Sequence, residues 1–325
     1  MPLSSVDTGD RELQLLRADN GSLALTFLPS VGGRLMSIVA DQHEYLWRNP
    51  AFFDSAFRAI QPRSTWPIDD GTFASWVNLG GSKTWPAPQG WHGEGEWPGP
   101  PDPVLDGGPW RVEAIAREHS EDMSICMTSP EDTRSGLRVE RVFLLPATGH
   151  TFHQSTTFTN VTESEISWSI WEVCQVDTSD GKGQPASVAA IEIDVDDAAA
   201  PIDLGTYRGS ATTGSTHDGR ITMGVQDVVA KLGFASASGR LAYRGPSGTL
   251  AMNFSPVPGA DYPDQGSRAE IWMQSPQADP IEELSGLHPD AYLAELEVLS
   301  PRSTIAAGES AEYALDWTVK PRPRL

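Results

Sequence analysis

The 325-residue chain carries a formal net charge of −21 and a sequence pI near 4.6, which excludes nucleic acid as a partner because phosphates demand a basic patch. The same charge argues against anionic membrane surfaces, and no run approaches the roughly 18 apolar residues of a membrane span. With 39% hydrophobic and 21% charged residues, 30 glycines and 26 prolines, the composition is that of a soluble globular protein rich in turns and strands. The opening M-P-L-S-S-V-D-T-G-D has no basic-then-apolar signal, so a cytoplasmic location is expected.

Residues 1–12 read as a polar, frayed leader, and 13–325 as one large antiparallel β domain. Ser22–Phe27 is strand-like, and Val31-Gly32-Gly33 predicts a tight turn into a second run ending at Ile38. Glu44–Trp47 gives a brief third strand before Asn49-Pro50 breaks it, and a helical turn is expected around Phe52–Ile60.

The segment Trp76–Trp110 holds five of the eleven tryptophans and seven of the 26 prolines, with neither helical nor strand periodicity. A loop that long inside a compact domain is disordered or functional, and its aromatic content argues against disorder. Trp rings supply flat faces with an N–H at the edge, while Asn78, Lys83, Gln89, His92, Asp102 and Asp106 supply polar groups between them. That mixture suits a polyhydroxylated ring; the plain alternative is a proline-pinned cover over one end of a sheet.

Strands resume at Trp110–Arg117, Ser124–Thr128, Arg138–Leu145 and Phe152–Asn160, separated by polar turns at the spacing of an all-β domain. Ser167–Val176 is the most apolar central segment, and Gly181–Ser187 marks a loop. Weaker strands follow at Ile191–Val195, Arg220–Met223, Val229–Phe234, Arg240–Tyr243 and Leu250–Phe254, before a polar loop over Pro256–Arg268. Glu270–Gln274, Tyr292–Leu299 and Ser310–Val319 close the chain, the last with Ala311, Tyr313, Leu315, Trp317 and Val319 on one face.

Period-2 alternation puts Glu295 and Glu297 on one face of their strand, opposite Ala294, Leu296 and Val298. Paired carboxylates repel, which raises the pKa of the less solvated one towards the range of a general base. The alternative is a simply solvated face. Glu172 falls on the apolar face of Trp168, Ile170, Cys174 and Val176, where it needs a cationic partner such as Lys83, Arg34, Arg63 or Arg268, or a cavity to line. The seven histidines form no HxH or HExxH pattern, so no metal site is expected; His92, in the Trp-rich loop, is the histidine best placed for proton transfer. Cys126 and Cys174 lack CxxC spacing and read as buried thiols. No GxSxG elbow, P-loop or GxGxxG is present, and no cofactor is expected.

L-P-S-V-G-G-R-L-M-S-I at 28–38 with E-Y-L-W at 44–47 resembles the opening hairpin of galactose mutarotase-like proteins. The G-G-S-K-T-W-P-A-P-Q-G-W and W-P-G-P-P-D-P-V-L-D-G-G-P-W segments, W-E-V-C-Q at 171–175 and E-L-E-V-L-S-P from 295 resemble a branch of that superfamily designated DUF4380. The resemblance implies a β-supersandwich with a carbohydrate-binding groove over one sheet. It also implies an aldose 1-epimerase-like isomerase, in which a late-strand Glu acts as base and a His as acid to open the hemiacetal ring by moving the anomeric proton. Glu297 best matches that Glu; the family's two histidine motifs are not recognisable, which leaves Lys83, His92 or Glu172 to supply the acid. The residues expected to bind the ring are Arg34, Asn78, Trp85, Gln89, Trp91 and Trp97, together with Asp102, Gln175 and Glu295. Two other readings stay open: a carbohydrate-binding module that changes no bond, and an isomerase, lyase or cyclase working on a non-sugar ring.

Overall fold

Burial alternates residue by residue along Leu137–Leu145 and Thr151–Asn160, the mark of strands with one face on a core and one in water. The structure is a computed structural model describing residues 3–90, 95–116, 121–197 and 199–322. The chain opens with β1 (Ser4–Val6), β2 (Leu15–Asp19), β3 (Leu23–Leu28), β4 (Arg34–Ala40) and β5 (His43–Glu44), then reaches β6 (Ser82–Ala87). Next come β7 (Arg111–Ala116), β8 (Met123–Thr128), β9 (Leu137–Leu145), β10 (Thr151–Asn160) and the long β11 (Ile166–Asp177). The middle supplies β12 (Ala190–Val195), β13 (Ile202–Arg208), β14 (Ser215–His217), β15 (Arg220–Gly224) and β16 (Val229–Phe234). The last third supplies β17 (Ala237–Gly245), β18 (Gly248–Asn253), β19 (Ala269–Gln274), β20 (Leu293–Leu299), β21 (Ser303–Ile305) and β22 (Ser310–Pro321).

All pairings between these strands are antiparallel and sort into two large sheets. The front sheet runs β1-β2-β3-β4-β6-β11-β20-β19-β16-β13, with β5 beside β4 and β21 beside β11. The back sheet runs β14-β15-β12-β17-β18-β22-β10-β9-β8-β7. Between them lies the main core, where Phe152 stacks on Trp317 at 5.4 Å and Phe27 packs on Phe143 at 5.1 Å. The expected face of β22 points inward: Leu315, Trp317 and Val319 are buried, while Glu312 and Asp316 are exposed. Both cysteines are free and buried.

Four local expectations change. The leader is not frayed throughout, since Ser4–Val6 pairs with Leu15–Arg17 as an edge strand. Phe52–Ile60 is not helical. The Asp54 carboxylate accepts from the Ala56 and Arg58 amides, Phe57 takes φ 64°, and Phe53 bridges Ala59, so an Asx-type turn wins. The third strand is confined to His43–Glu44. Most consequential, the Trp/Pro segment contains β6, which sits between β4 and β11 with all six residues buried. A strand buried on both faces needs no polar alternation, which hid it from periodicity. Its Pro86 is tolerated because β4 reaches β6 only at Ser82, leaving no ladder on that side for the missing N–H. The far end of the segment docks on the Val31–Arg34 turn. A Cβ on Gly32 would stand 2.2 Å from the Asp106 carbonyl, and one on Gly33 would stand 2.3 Å from the Trp110 ring, so only glycines admit it.

One polar cluster crosses the apolar interior. Glu172 on β11 points between the sheets and pairs with Arg141 of β9 at 2.7 Å, both side chains almost wholly buried. Ser82 and Thr84 donate to the same carboxylate, and Gln154 Nε2 donates at 2.7 Å while its Oε1 accepts from Trp317 Nε1 at 3.0 Å. Burial pulls the Arg141 pKa down, with Glu172 opposing, and Arg141 keeps its charge because an arginine pKa starts so high. Removing one partner strands a buried charge. Glu172→Gln or Arg141→Met alone is expected to cost about 3–5 kcal/mol in urea unfolding, and replacing both by Met to recover more than half of the larger loss.

Candidate functional site

The antiparallel register of the front sheet aligns side chains from β6, β11, β20, β19 and β16 on its outer face. Gln175, Glu295, Trp272 and Lys231 form one row of cross-strand neighbours. Lys83, Val173, Glu297 and Glu270 form the next, and Trp85, Trp171 and Leu299 the third. Above these rows lies a cavity of ≈ 410 Å³. Its walls are the faces of Phe73, Trp76, Trp85, Trp171, Tyr207 and Trp272, with Leu204, Leu284 and Leu287 at the β16 side. Asn78, Gln89, Gln175 and Gln274 contribute amides, and Asp264, Lys231, Glu295 and Glu297 contribute charge.

Two lysines organise the polar floor. Lys231 Nζ binds Glu270 at 2.6 Å and Glu297 at 3.1 Å, and lies 4.4 Å over the Trp171 ring. Trp171 Nε1 donates to the same Glu297 oxygen at 2.7 Å. Burial pushes the Glu297 carboxyl above its ordinary range, with the Lys231 cation opposing and Glu295 adding to the rise. Glu270 is pushed up further by the same burial. On Lys231 burial acts downward, but two carboxylates outweigh it and hold the ammonium above its ordinary range. Lys83 reaches Glu295 at 3.4 Å and lies 4.3 Å over Trp85 and 4.8 Å over Trp76. Burial dominates there, with Arg34 nearby, and the Lys83 pKa drops to about 8 despite Glu295. Gln175 Nε2 completes this pair by donating to Glu295 at 2.6 Å.

The Trp-rich segment forms the aromatic wall. Trp85 meets Trp171 edge-on at 5.4 Å, Trp97 at 5.1 Å and Trp76 at 6.2 Å. Asp106 fixes Trp76 by accepting from its Nε1 at 2.8 Å and is itself paired with buried Arg34. The opposite rim is the Pro263–Gly266 turn, where Asp264 (φ 51°) and Gln265 (φ 63°) are consecutive left-handed non-glycine residues facing the cavity. Such conformations cost about 1 kcal/mol or more each and persist where the surrounding structure holds them.

Of the residues expected from sequence, Glu297, Glu295, Asn78, Trp85, Gln89 and Gln175 line the cavity, and Lys83 sits against its lining Trp76, Trp85 and Glu295. Trp91 and His92 lie outside the described residues. Glu172 does not reach the cavity. It occupies the other face of β11, and its cation is Arg141 rather than Lys83, Arg34, Arg63 or Arg268. Arg63 instead donates to the Ser30 and Gly107 carbonyls, and Arg268 pairs with Asp196. Arg34 acts at a distance, through Asp106. Trp97 backs Trp85 from below, its Nε1 donating at 3.0 Å to Asp102, which also binds Arg134 and the Val104 and Leu105 amides. Asp102 therefore fastens the loop and does not line the cavity. Sequence reasoning missed Lys231, Glu270, Trp171, Trp272, Tyr207 and Asp264. The alternation in E-I-W-M-Q, which puts Glu270, Trp272 and Gln274 on one face, was the available signal.

Among the described residues no helix is long and apolar enough to cross a membrane. Several solved structures share the architecture at low identity, which speaks to fold alone. A TPR-domain containing protein from Parabacteroides distasonis aligns at TM-score 0.62 and 10% identity over 100% of this chain, which spans about half (54%) of that protein. A galactose mutarotase-like protein from Clostridium acetobutylicum aligns at TM-score 0.56 and 10% identity over 99% of both chains. A putative aldose 1-epimerase from Escherichia coli K12 aligns at TM-score 0.51 and 12% identity, again over 99% of both. No curated protein matches the chain. Residues 13–320 match the family described as Domain of unknown function (DUF4380), and the chain belongs to that family, on a galactose mutarotase-like β-sandwich.

Proposed function

We propose that the protein is an isomerase that binds a sugar or sugar-like ring in the front-sheet cavity and moves a proton at its anomeric centre. The carrying observation is Glu297, a buried carboxylate held up in pKa, at the floor of a cavity walled by aromatic faces. Aromatic faces pack against the apolar C–H face of a ring, while Asn78, Gln175 and Gln274 offer amides to its hydroxyls. In this reading Glu297 accepts the anomeric hydroxyl proton as the bond between that carbon and the ring oxygen breaks. Lys83 donates a proton to the ring oxygen; rotation and reclosure reverse the transfers. Lys83 suits an acid at neutral pH because burial has lowered its pKa to about 8, whereas Lys231 holds its proton too tightly and serves as counter-ion. Glu297 has no exposed surface, and Lys231, a fifth of whose side chain is exposed, covers it. Ligand entry therefore has to swing Lys231 aside.

A binding module is the second reading, favoured by one observation: the candidate base Glu297 is already paired, sharing Lys231 with Glu270. Anomeric equilibration of aldoses followed by NMR separates the two. Under the first reading Glu297→Gln, in protein that remains folded by circular dichroism, lowers the rate by at least ~10²-fold, since general-base catalysis contributes about 10²–10⁴. Ring binding without any acceleration by the parent protein points instead to the module.

The pH profile carries the second expectation. Glu297 must be ionised and Lys83 protonated, so activity falls as pH drops through the raised Glu297 pKa and falls again as pH rises through about 8. Lys83→Arg keeps the charge and is expected to remove the alkaline limb. An alkaline limb unchanged in Lys83→Arg assigns the acid elsewhere.

A further inference from the structure

The cavity has an imbalance of charge and of hydrogen-bonding groups that points to its occupant. Four carboxyl groups gather at it, Asp264, Glu295, Glu297 and, beneath them, Glu270; burial favours the neutral form of Glu270, and the other three still outnumber the two ammonium groups, Lys83 and Lys231. Each lysine is already paired, and among the described residues no arginine lines the cavity. The Asp264 carboxylate forms no hydrogen bond or ion pair with a described residue, while its backbone carbonyl accepts from Ser267 Oγ at 2.7 Å; it and Gln265 stand at the rim in left-handed backbone. Buried polar atoms without a partner tell the same story. Among the described residues at this cavity, Gln175 Oε1, Glu297 Oε1 and, beneath them, Glu270 Oε1 are acceptors, against one donor, Trp85 Nε1. The Gln175 assignment is fixed because its Nε2 must donate to Glu295. Excess acceptors and excess negative charge beneath the faces of Trp76, Trp171 and Trp272 suit a donor-rich cation, which gains from carboxylates and rings together. A metal ion is a poor match, since no group of three or more such side chains among the described residues is arranged to hold one.

We propose that the ring bound in this cavity carries a protonated amine, an amino sugar or aminocyclitol, with Asp264 and Glu295 as the residues that select it. This rests on the reading of the cavity as a ring-binding site. Hydroxyl groups satisfy the same acceptors, but only an ammonium also offsets the surplus charge. A phosphate or carboxylate on the ring meets carboxylates with no unpaired cation to receive it.

The test is a binding panel on the whole protein by calorimetry, at a pH where the sugar amine is protonated. The probes are D-glucosamine and D-galactosamine, the parent D-glucose and D-galactose, their N-acetyl forms, and D-glucuronate and D-galacturonate. The expected result is at least about tenfold tighter binding of an amino sugar than of its parent hexose, loss of that preference on N-acetylation, and no binding of the uronates. Asp264→Asn, at the rim and outside the strands, is expected to reduce the ratio of amino-sugar to parent-hexose affinity severalfold, and an unchanged ratio removes Asp264 from the selection. Equal or tighter binding of the neutral or anionic sugars, or no binding of any amino sugar, overturns the proposal. Because binding is read separately from anomeric equilibration, the outcomes do not merge. Amine preference without turnover keeps this inference and sinks the isomerase, and turnover of neutral aldoses without amine preference does the reverse.

Discussion

The structure depends on one strand, β11, being committed on both faces at once. Glu172 binds it to the back sheet through Arg141 and Gln154, in the middle of an otherwise apolar interior. A buried ion pair of this kind adds little net stability over a well-packed apolar pair, but a shift of β11 by one residue would strip Arg141 of its partner and place Trp171 or Val173 among Ser82, Thr84 and Gln154. The pair therefore specifies register more than it stabilises. Once the register is fixed, Trp171, Val173 and Gln175 share the outer face, where Trp171 and Gln175 line the cavity, and the neighbouring strands inherit that alignment: Glu297 falls opposite Val173, and Glu295 opposite Gln175.

Within the cavity floor, two lysines of the same intrinsic chemistry are driven apart by their neighbours. Each lies over tryptophan rings, Lys83 buried and Lys231 a fifth exposed, and burial acts against both charges. Lys231 has two carboxylates, one at 2.6 Å, while Lys83 has Glu295 at 3.4 Å and the Arg34 charge nearby. The number and distance of carboxylates therefore decide the sign of the shift. That separation yields one firmly held cation and one that exchanges its proton near neutrality, a pairing from which acid–base roles are assigned by environment rather than by residue type.

Sequence alone carried the all-β class, most strand positions and the two-faced character of β11 and β20, because period-2 alternation survives wherever one face differs from the other. It failed where that contrast vanishes. Ser82–Ala87 is buried on both sides and reads as loop, and Lys231 lies in Val229–Phe234, where a lone charge among apolar residues marks either an exposed edge or a cavity. Glu172 was read on the correct face, yet its partner Arg141 comes from a strand in the other sheet, 31 residues away, and no local pattern reports a cross-sheet pairing. Asp102 and Trp97 looked like ring-binding groups because loops rich in tryptophan and acid suggest ligands, but they bind each other instead.

The Trp76–Trp110 segment joins these levels, being both wall and framework. Its middle, β6, is a central strand whose one face supplies Ser82 and Thr84 to the Glu172 cluster and whose other face supplies Lys83 and Trp85 to the cavity. Its far end closes on Gly32 and Gly33, where Asp106 and Trp110 pack too closely for any side chain, and Asp106 returns to hold Trp76. The aromatic wall is thus tied at both ends to the strands that carry Arg34, Lys83 and Glu172. A change at Arg34 or Glu172 therefore acts on the cavity through the orientation of Trp76 and Trp85, so the shape of the cavity is a property of the framework as much as of the lining residues.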